Sequence, residues 1–256
     1  MAAQYDNTDA FQGASFTMAD LSATTFRSCD LRRIKIVDSW LMDVNVSGEI
    51  RNFLVNDVDV TPYVEAELDR RHPERVRLRE MRTADDFRAM WETNERLWSE
   101  TLARAERLPE AARHERVDDE WSLVETLRHL VFATDAWAGR AILDAPDPFH
   151  RLGLTHSGYP AEDAAALGID LDARPSYAEV TQARAGRVAL VRGILDGLTD
   201  AGLERACTRS PAPGYPEEPR TVGGCLRVVM EEECEHRRYT LRDLATLEGR
   251  RPRSPG

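Results

Sequence analysis

Two different spacings of apolar residues divide the chain. Between Phe11 and Val46 an apolar side chain returns at every fifth position, as Phe11, Phe16, Leu21, Phe26, Leu31, Ile36, Leu41 and Val46. That spacing belongs neither to a helix nor to a flat strand. Ile50, Phe53, Val55, Val58 and Val60 then continue in strand-like alternation until Thr61-Pro62. The charged run from Glu65 to Arg82, interrupted by Pro73, reads as a connector with a short helix near Val64 to Arg70. Beyond it the spacing becomes helical in four long amphipathic segments, each opened by a capping residue. Thr83 with Asp85 and Asp86 opens the first, to about Arg107. Ser122 with Glu125 opens the second, to about Leu143, and Ser176 with Glu179 the third, to about Leu198. Thr221 opens the fourth, to about Glu248.

Two segments between these helices, residues 145–175 and 200–220, are rich in Pro, Gly and Asp. Loops this long in a compact domain tend to be functional. Phe87, Met90, Trp91, Leu97, Trp98 and Leu102 form apolar rows on the first helix and are expected in its core, as is Trp137 on the second.

Small residues stand two positions before several of the five-spaced residues: Ala14, Ala19, Thr24, Cys29 and Ser39. This combination resembles pentapeptide-repeat proteins, and the resemblance implies a short right-handed β-helix of about two coils, each stacking its inward residues on the next. Ile34 and Val44 at the small positions show the repeat degenerating. A set of ordinary short strands is the alternative.

The chemistry concentrates in the last helical segment. Glu232 and His236 are four residues apart and share a helix face. Cys234 lies two positions from His236, roughly 200° around the helix, which leaves it to packing. Glu231 and Glu235 make a neighbouring row, Glu233 lies further around, and all three read as solvated or supporting carboxylates. His129, on the second helical segment, offers a third ligand. One carboxylate and two imidazoles suit a divalent metal with positions left open. Without a metal, the same residues read as a surface Glu–His pair and a half-buried histidine. His150 and His156 stand on the first long loop, where they would either approach the site or be exposed. His72 and His114 lie in charged linkers and take no role.

Trp121-Ser, Leu127-Arg-His129-Leu, Glu232-Glu-Cys-Glu-His236-Arg-Arg-Tyr and Arg242-Asp243-Leu244 together resemble the DinB-like four-helix superfamily, including its branch of mycothiol-dependent metalloenzymes. The loop Pro148-Phe-His-Arg-Leu-Gly-Leu154 resembles one that follows the second helix in many relatives, and the likeness covers about residues 83 to 249. Carried over by position, it implies metal ligands at His129, Glu232 and His236. Many relatives carry His where Glu232 stands, which bears on metal identity. The implied fold is mainly α: a pentapeptide-repeat-like segment over 1–62, a connector over 63–82 and a DinB-like four-helix bundle over 83–256. The implied activity is that of a thiol S-transferase, with zinc, or else nickel or iron, holding mycothiol or another small thiol as a thiolate that attacks a small electrophile. A thiol-dependent isomerase, a metal-dependent hydrolase and a non-catalytic stress or scaffold protein with a structural metal are the alternatives. Tyr239 would stand near the metal, and Arg237 or Arg238 could hold an acid group of the thiol or substrate.

Composition narrows the partners. The chain has 256 residues, 42% hydrophobic and 31% charged, as expected of a globular protein with a sizeable core. Its net charge of −11 argues against nucleic acid or an anionic membrane as partner, and a small-molecule substrate and a thiol are the partners the resemblance implies. Lys35 is the only lysine, an Arg bias typical of GC-rich genomes, so an actinobacterial source is plausible. Cys29, Cys207, Cys225 and Cys234 form no metal-knuckle or disulfide spacing and suggest a reducing compartment. With no signal-peptide pattern and no apolar run approaching about 18 residues, the expected location is the cytoplasm. The end of a solenoid is a natural packing surface, so a homodimer is expected.

Overall fold

A computed structural model describes residues 3–250. Residues 1–2 and 251–256, the outer ends of the first and last segments, lie outside it. The chain divides between Ser47 and Gly48 into two compact units.

In the first unit the five-residue spacing appears in the backbone. Gly13, Met18, Ala23, Ser28, Arg33, Asp38 and Asp43 all have φ between 49° and 75°, each two positions after one of the spaced apolar residues. These are corners. At two of them a turn closes with a hydrogen bond, from the Ala14 amide to the Phe11 carbonyl (3.0 Å) and from Thr24 to Leu21 (3.2 Å). The β-helix implied by the sequence is not shown: residues 3–53 contain no strand, and the spaced side chains stay exposed, Phe16 at 58% and Phe26 at 62%. A left-handed corner every five residues leaves only short extended runs. About two coils would also offer a single stacking interface, too little to bury the repeat side chains.

The second unit opens with a hairpin, β1 (Leu54–Val55) paired antiparallel to β2 (Val58–Asp59). Its two-residue turn, Asn56-Asp57, has φ of 48° and 65°, the left-handed pair that matches strand twist. The charged run that follows is helical. It forms α1 (Thr61–Arg71) and α2 (Glu74–Glu80), interrupted where Pro73 stands. Leu78 and Met81 enter the core, and Glu74 is buried against Arg237 (3.0 Å), so α2 packs as part of this unit.

Four long helices follow: α3 (Ala84–Ala105), α5 (Leu123–Thr134) with a π-helical continuation (Asp135–Ile142), α7 (Tyr177–Asp196) and α9 (Val222–Gly249). Between them lie short α4 (Glu110–Arg113), α6 (Ala161–Ala166) and α8 (Asp200–Leu203), and a two-residue ladder of β3 (Ala206–Cys207) with β4 (Arg220–Thr221). Reciprocal capping boxes start three of the long helices, Thr83 with Asp86, Ser122 with Glu125 and Ser176 with Glu179, and Thr221 caps α9 through the Gly224 amide. Each such cap contributes about 1 kcal/mol.

The four pack in a ring in which α3 meets α9 and α7, and α5 meets α7 and α9. One apolar layer joins Phe87, Met90 and Trp91 of α3 to Val229 and Met230 of α9, and a second joins Trp98, Leu127, Tyr177 and Leu244. A third cluster, around Phe132, Tyr159 and Ile169, lies beneath the first long loop. α5 is buried on nearly every face, with Glu125 the one residue of Leu123–Thr134 outside the buried set. In the π segment the Leu143 amide reaches back five residues to the Ala138 carbonyl (3.1 Å). Gly139 lets the loop approach there: a Cβ on it would lie 2.9 Å from that of Pro148. Among the described residues no helix is long and apolar enough to cross a membrane.

Candidate metal centre

α5 and α9 bring His129, Glu232 and His236 together, with one ligating atom from each lying within 4.8 Å of the others. His129 Nε2 is 3.3 Å and His236 Nε2 3.1 Å from the same carboxylate oxygen, Glu232 Oε2. Exposure of the three side chains rises from His129 (7%) through His236 (19%) to Glu232 (31%), so the centre is closed behind His129 and open toward Glu232.

The orientation of His129 is fixed from behind. Its Nδ1 lies 3.0 Å from the Leu154 carbonyl. A carbonyl only accepts, so Nδ1 carries a proton, and in the neutral ring Nε2 is then the atom free to ligate. Two imidazole nitrogens and a carboxylate oxygen converging within 4.8 Å are a donor set that fits a divalent metal. A ligand imidazole that donates its other N–H to a backbone carbonyl is the usual arrangement at metal sites.

The Leu154 carbonyl is itself held in place by Arg128. The Arg128 guanidinium is buried and donates to the carbonyls of Leu152 (2.9 Å), Ala173 (2.9 Å), Asp170 (2.7 Å) and Gly153 (3.3 Å). The Leu154 amide in turn donates to the Arg128 carbonyl (3.2 Å). The start of the same loop is tied down by Asp135, which accepts from the His150 amide (2.8 Å) and pairs with Arg187 (2.8 and 3.1 Å).

Burial, the largest influence on His129, holds its pKa below the ordinary value, and the nearby His236 acts the same way against the pull of Glu232. The ring is thus neutral near pH 7 and free to ligate. At Glu232 burial opposes ionisation, but where the two histidines are protonated their hydrogen bonds and charge outweigh it and hold the carboxyl well below the usual range. Burial alone accounts for the raised pKa of Asp135, pushed up to about 6 against the opposing Arg187.

Aromatic rings enclose the centre. Trp121 lies 4.8 Å from the His129 ring and stacks 5.9 Å from that of His236. On the other side Phe132 stands 6.2 Å from His129 and 6.0 Å from Tyr159, which continues through His156 (5.4 Å) to Tyr215 (6.0 Å). Burial first, and the Glu232 carboxylate next, push the Tyr215 phenol up to about 12, so it remains a hydrogen-bond donor. Its ring meets the edge of Trp137 at 5.7 Å, and Arg220 lies over Trp137 at the same distance.

The other candidate residues are placed as follows. Cys234 is buried and donates to Asn94 Oδ1 (3.3 Å), as packing requires. Glu233 is not solvated: it is buried on the far side of α9 and ion-paired with Arg184 of α7, whose guanidinium lies 5.2 Å over the Trp98 ring. One residue's rotation along α9 separates it from Glu232 and aims it into the bundle. Arg237 bonds to Glu74, Thr101 and the Leu97 carbonyl, and Arg238 to Glu235, so both are engaged in packing α9. Tyr239 stands 6.5 Å from the His236 ring beneath Arg238 and Arg242. His150 and His156 are not in the ligand group; His156 is exposed and serves in the ring series. Arg128 and Asp135 were not anticipated from sequence. Their signal was present in it, as single charges bordering or interrupting an otherwise apolar helix.

A helical bundle with two imidazoles and a carboxylate converging from two of its helices defines a class of metal-competent helical proteins. Residues 93–240 match the family model of the DinB superfamily, and the chain belongs to that superfamily. Comparison with curated proteins and with solved structures gives no match.

Proposed function

We propose that the protein is a metal-dependent thiol S-transferase, taking mycothiol or a similar small thiol and a small electrophile at the centre formed by His129, Glu232 and His236. The observation that carries this reading is the convergence of ligating atoms of His129, Glu232 and His236 within 4.8 Å of one another, with His129 oriented by Leu154. A divalent metal, zinc first and otherwise nickel or iron, supplies Lewis acidity that keeps a small thiol ionised at neutral pH, where its free pKa of about 8.5 would leave it mostly protonated.

The chain's own residues do the rest. Two neutral imidazoles and one carboxylate leave a dication with net charge near +1, which favours an anionic sulfur. Trp121 covers the imidazoles and keeps water from their ring faces. Tyr215, protonated and within the field of Glu232, donates a hydrogen bond to negative charge developing on the electrophile. The aromatic series from Phe132 to Trp137 gives an apolar carbon skeleton a surface to pack on. The N-terminal unit serves as a packing module, with a homodimer as the expected assembly.

The test is metal analysis of the purified protein beside His236→Ala and Glu232→Gln, with calorimetry against mycothiol. One metal per chain, lost in His236→Ala and weakened at least about tenfold in Glu232→Gln, with thiol binding lost in parallel, supports the reading. Turnover of an electrophile by water without thiol would move the assignment to a hydrolase. Failure of the wild-type protein to bind zinc, nickel or iron would overturn it and leave a scaffold role.

A further inference from the structure

We propose that Cys207 and Cys225 form a modification site, a thiol pair that closes to a disulfide on oxidation by a peroxide and pins the 208–219 loop at its base. The two sulfur atoms are 3.7 Å apart, although Cys207 lies on β3 and Cys225 in the first turn of α9. Bond formation brings them to about 2.0 Å, a movement within the reach of side-chain torsions. Cys207 is partly exposed and can meet a small oxidant, whereas Cys225 is buried. Burial first and Cys207 next push the Cys225 thiol up to about 12, which keeps it protonated until its neighbour has reacted.

The reaction consumes one peroxide. The Cys207 thiolate attacks an oxygen, the O–O bond breaks, and the departing hydroxide takes up a proton to become water, leaving a sulfenic acid. The Cys225 sulfur then displaces the remaining oxygen as a second water while the S–S bond forms. Two thiols lose two protons and two electrons in all. No other pair has this placement among the described cysteines: Cys29 is exposed in the first unit, and Cys234 is buried and bonded to Asn94.

The loop between the two cysteines is otherwise closed by a ladder of only two residue pairs, Ala206 with Thr221 and Cys207 with Arg220. So short a ladder is marginal by itself. Its loop carries Tyr215, and Arg220 at its end covers Trp137, so oxidation fixes a wall beside the candidate metal centre. The disulfide does not depend on the proposed activity, and its test reads no turnover.

The full-length Cys29→Ser protein, in which exposed cysteines cannot couple between molecules, is treated with hydrogen peroxide, alkylated with iodoacetamide and analysed by intact mass and peptide mapping. The expected result is loss of two hydrogen atoms, a linked pair of peptides carrying Cys207 and Cys225, and reversal by dithiothreitol. Cys207→Ser in the same background abolishes the link, and the partial exposure of the site lets this conservative change fold. Accumulation of sulfinic acid on Cys207 while Cys225 remains a thiol, or a link made through Cys234, overturns the proposal. Amide hydrogen exchange across 208–219 slows in the oxidised protein; equal exchange in both forms overturns the pinning.

Discussion

Leu154 is fastened to Arg128 by its amide and to His129 by its carbonyl, at 3.2 and 3.0 Å. Two consecutive residues of α5 thus grip one residue of a loop, and the ring that would hold a metal owes its tautomer to that grip. The guanidinium of Arg128 makes the loop stiff enough to serve.

Replacing Arg128 by Met leaves the carbonyls of Leu152, Asp170 and Ala173 without their buried donor. Stability falls by about 3 kcal/mol, read by urea denaturation. Zinc affinity falls about 10- to 100-fold, measured by competition with a chelator, because His129 loses its orientation. Unchanged affinity in a folded Arg128→Met protein would detach the loop from the metal centre.

The Arg184–Glu233 pair gives a test of the bundle itself. Glu233→Ala strands a guanidinium in the core and costs about 3–5 kcal/mol, whereas the double replacement Arg184→Met with Glu233→Leu recovers most of that loss. Equal destabilisation in the single and double variants would show that shape and not charge sets the cost.

Asp135 predicts a pH dependence whose sign follows from burial. Its carboxyl, near 3.8 in an unfolded chain, holds its proton up to about 6 when folded. Between these values the folded state binds the proton and the unfolded state does not, so this group's contribution is greatest below pH 4 and declines as pH rises through 6. Two pKa units correspond to about 3 kcal/mol. The stability difference between wild type and Asp135→Asn, measured by denaturation from pH 4 to pH 7, should shift by up to that amount against the wild type. A difference that grows with pH would show Arg187 outweighing burial.

The helices were readable because their signals are local. The Thr83, Ser122, Ser176 and Thr221 caps stand where the structure starts its long helices, and the four-residue spacing of Glu232 and His236 places both on one face. Partners distant in sequence were not readable in the same way. Nothing in the spacing of Glu233 says that Arg184 waits across the bundle, and nothing at Leu154 marks its carbonyl as the brace for His129. The helix α2 was hidden because its charges outnumber its buried residues, yet Glu74 and Leu78 are what anchor it. In the first unit the five-residue spacing survives as left-handed corners while the β-helix is not shown, since spacing reports where the chain turns and not whether its coils pair.

Glu232 and Glu233 are neighbours in the chain but are engaged from opposite sides, one by the histidine of α5 and the other by the arginine of α7. The last helix is keyed like a shaft in two slots, and its rotational phase is set twice. Withdrawing an ion from the first slot leaves the second engaged, so the ligand side chains keep their aim. A metal entering or leaving that slot would then meet a preformed seat, without the helix having to find its angle again.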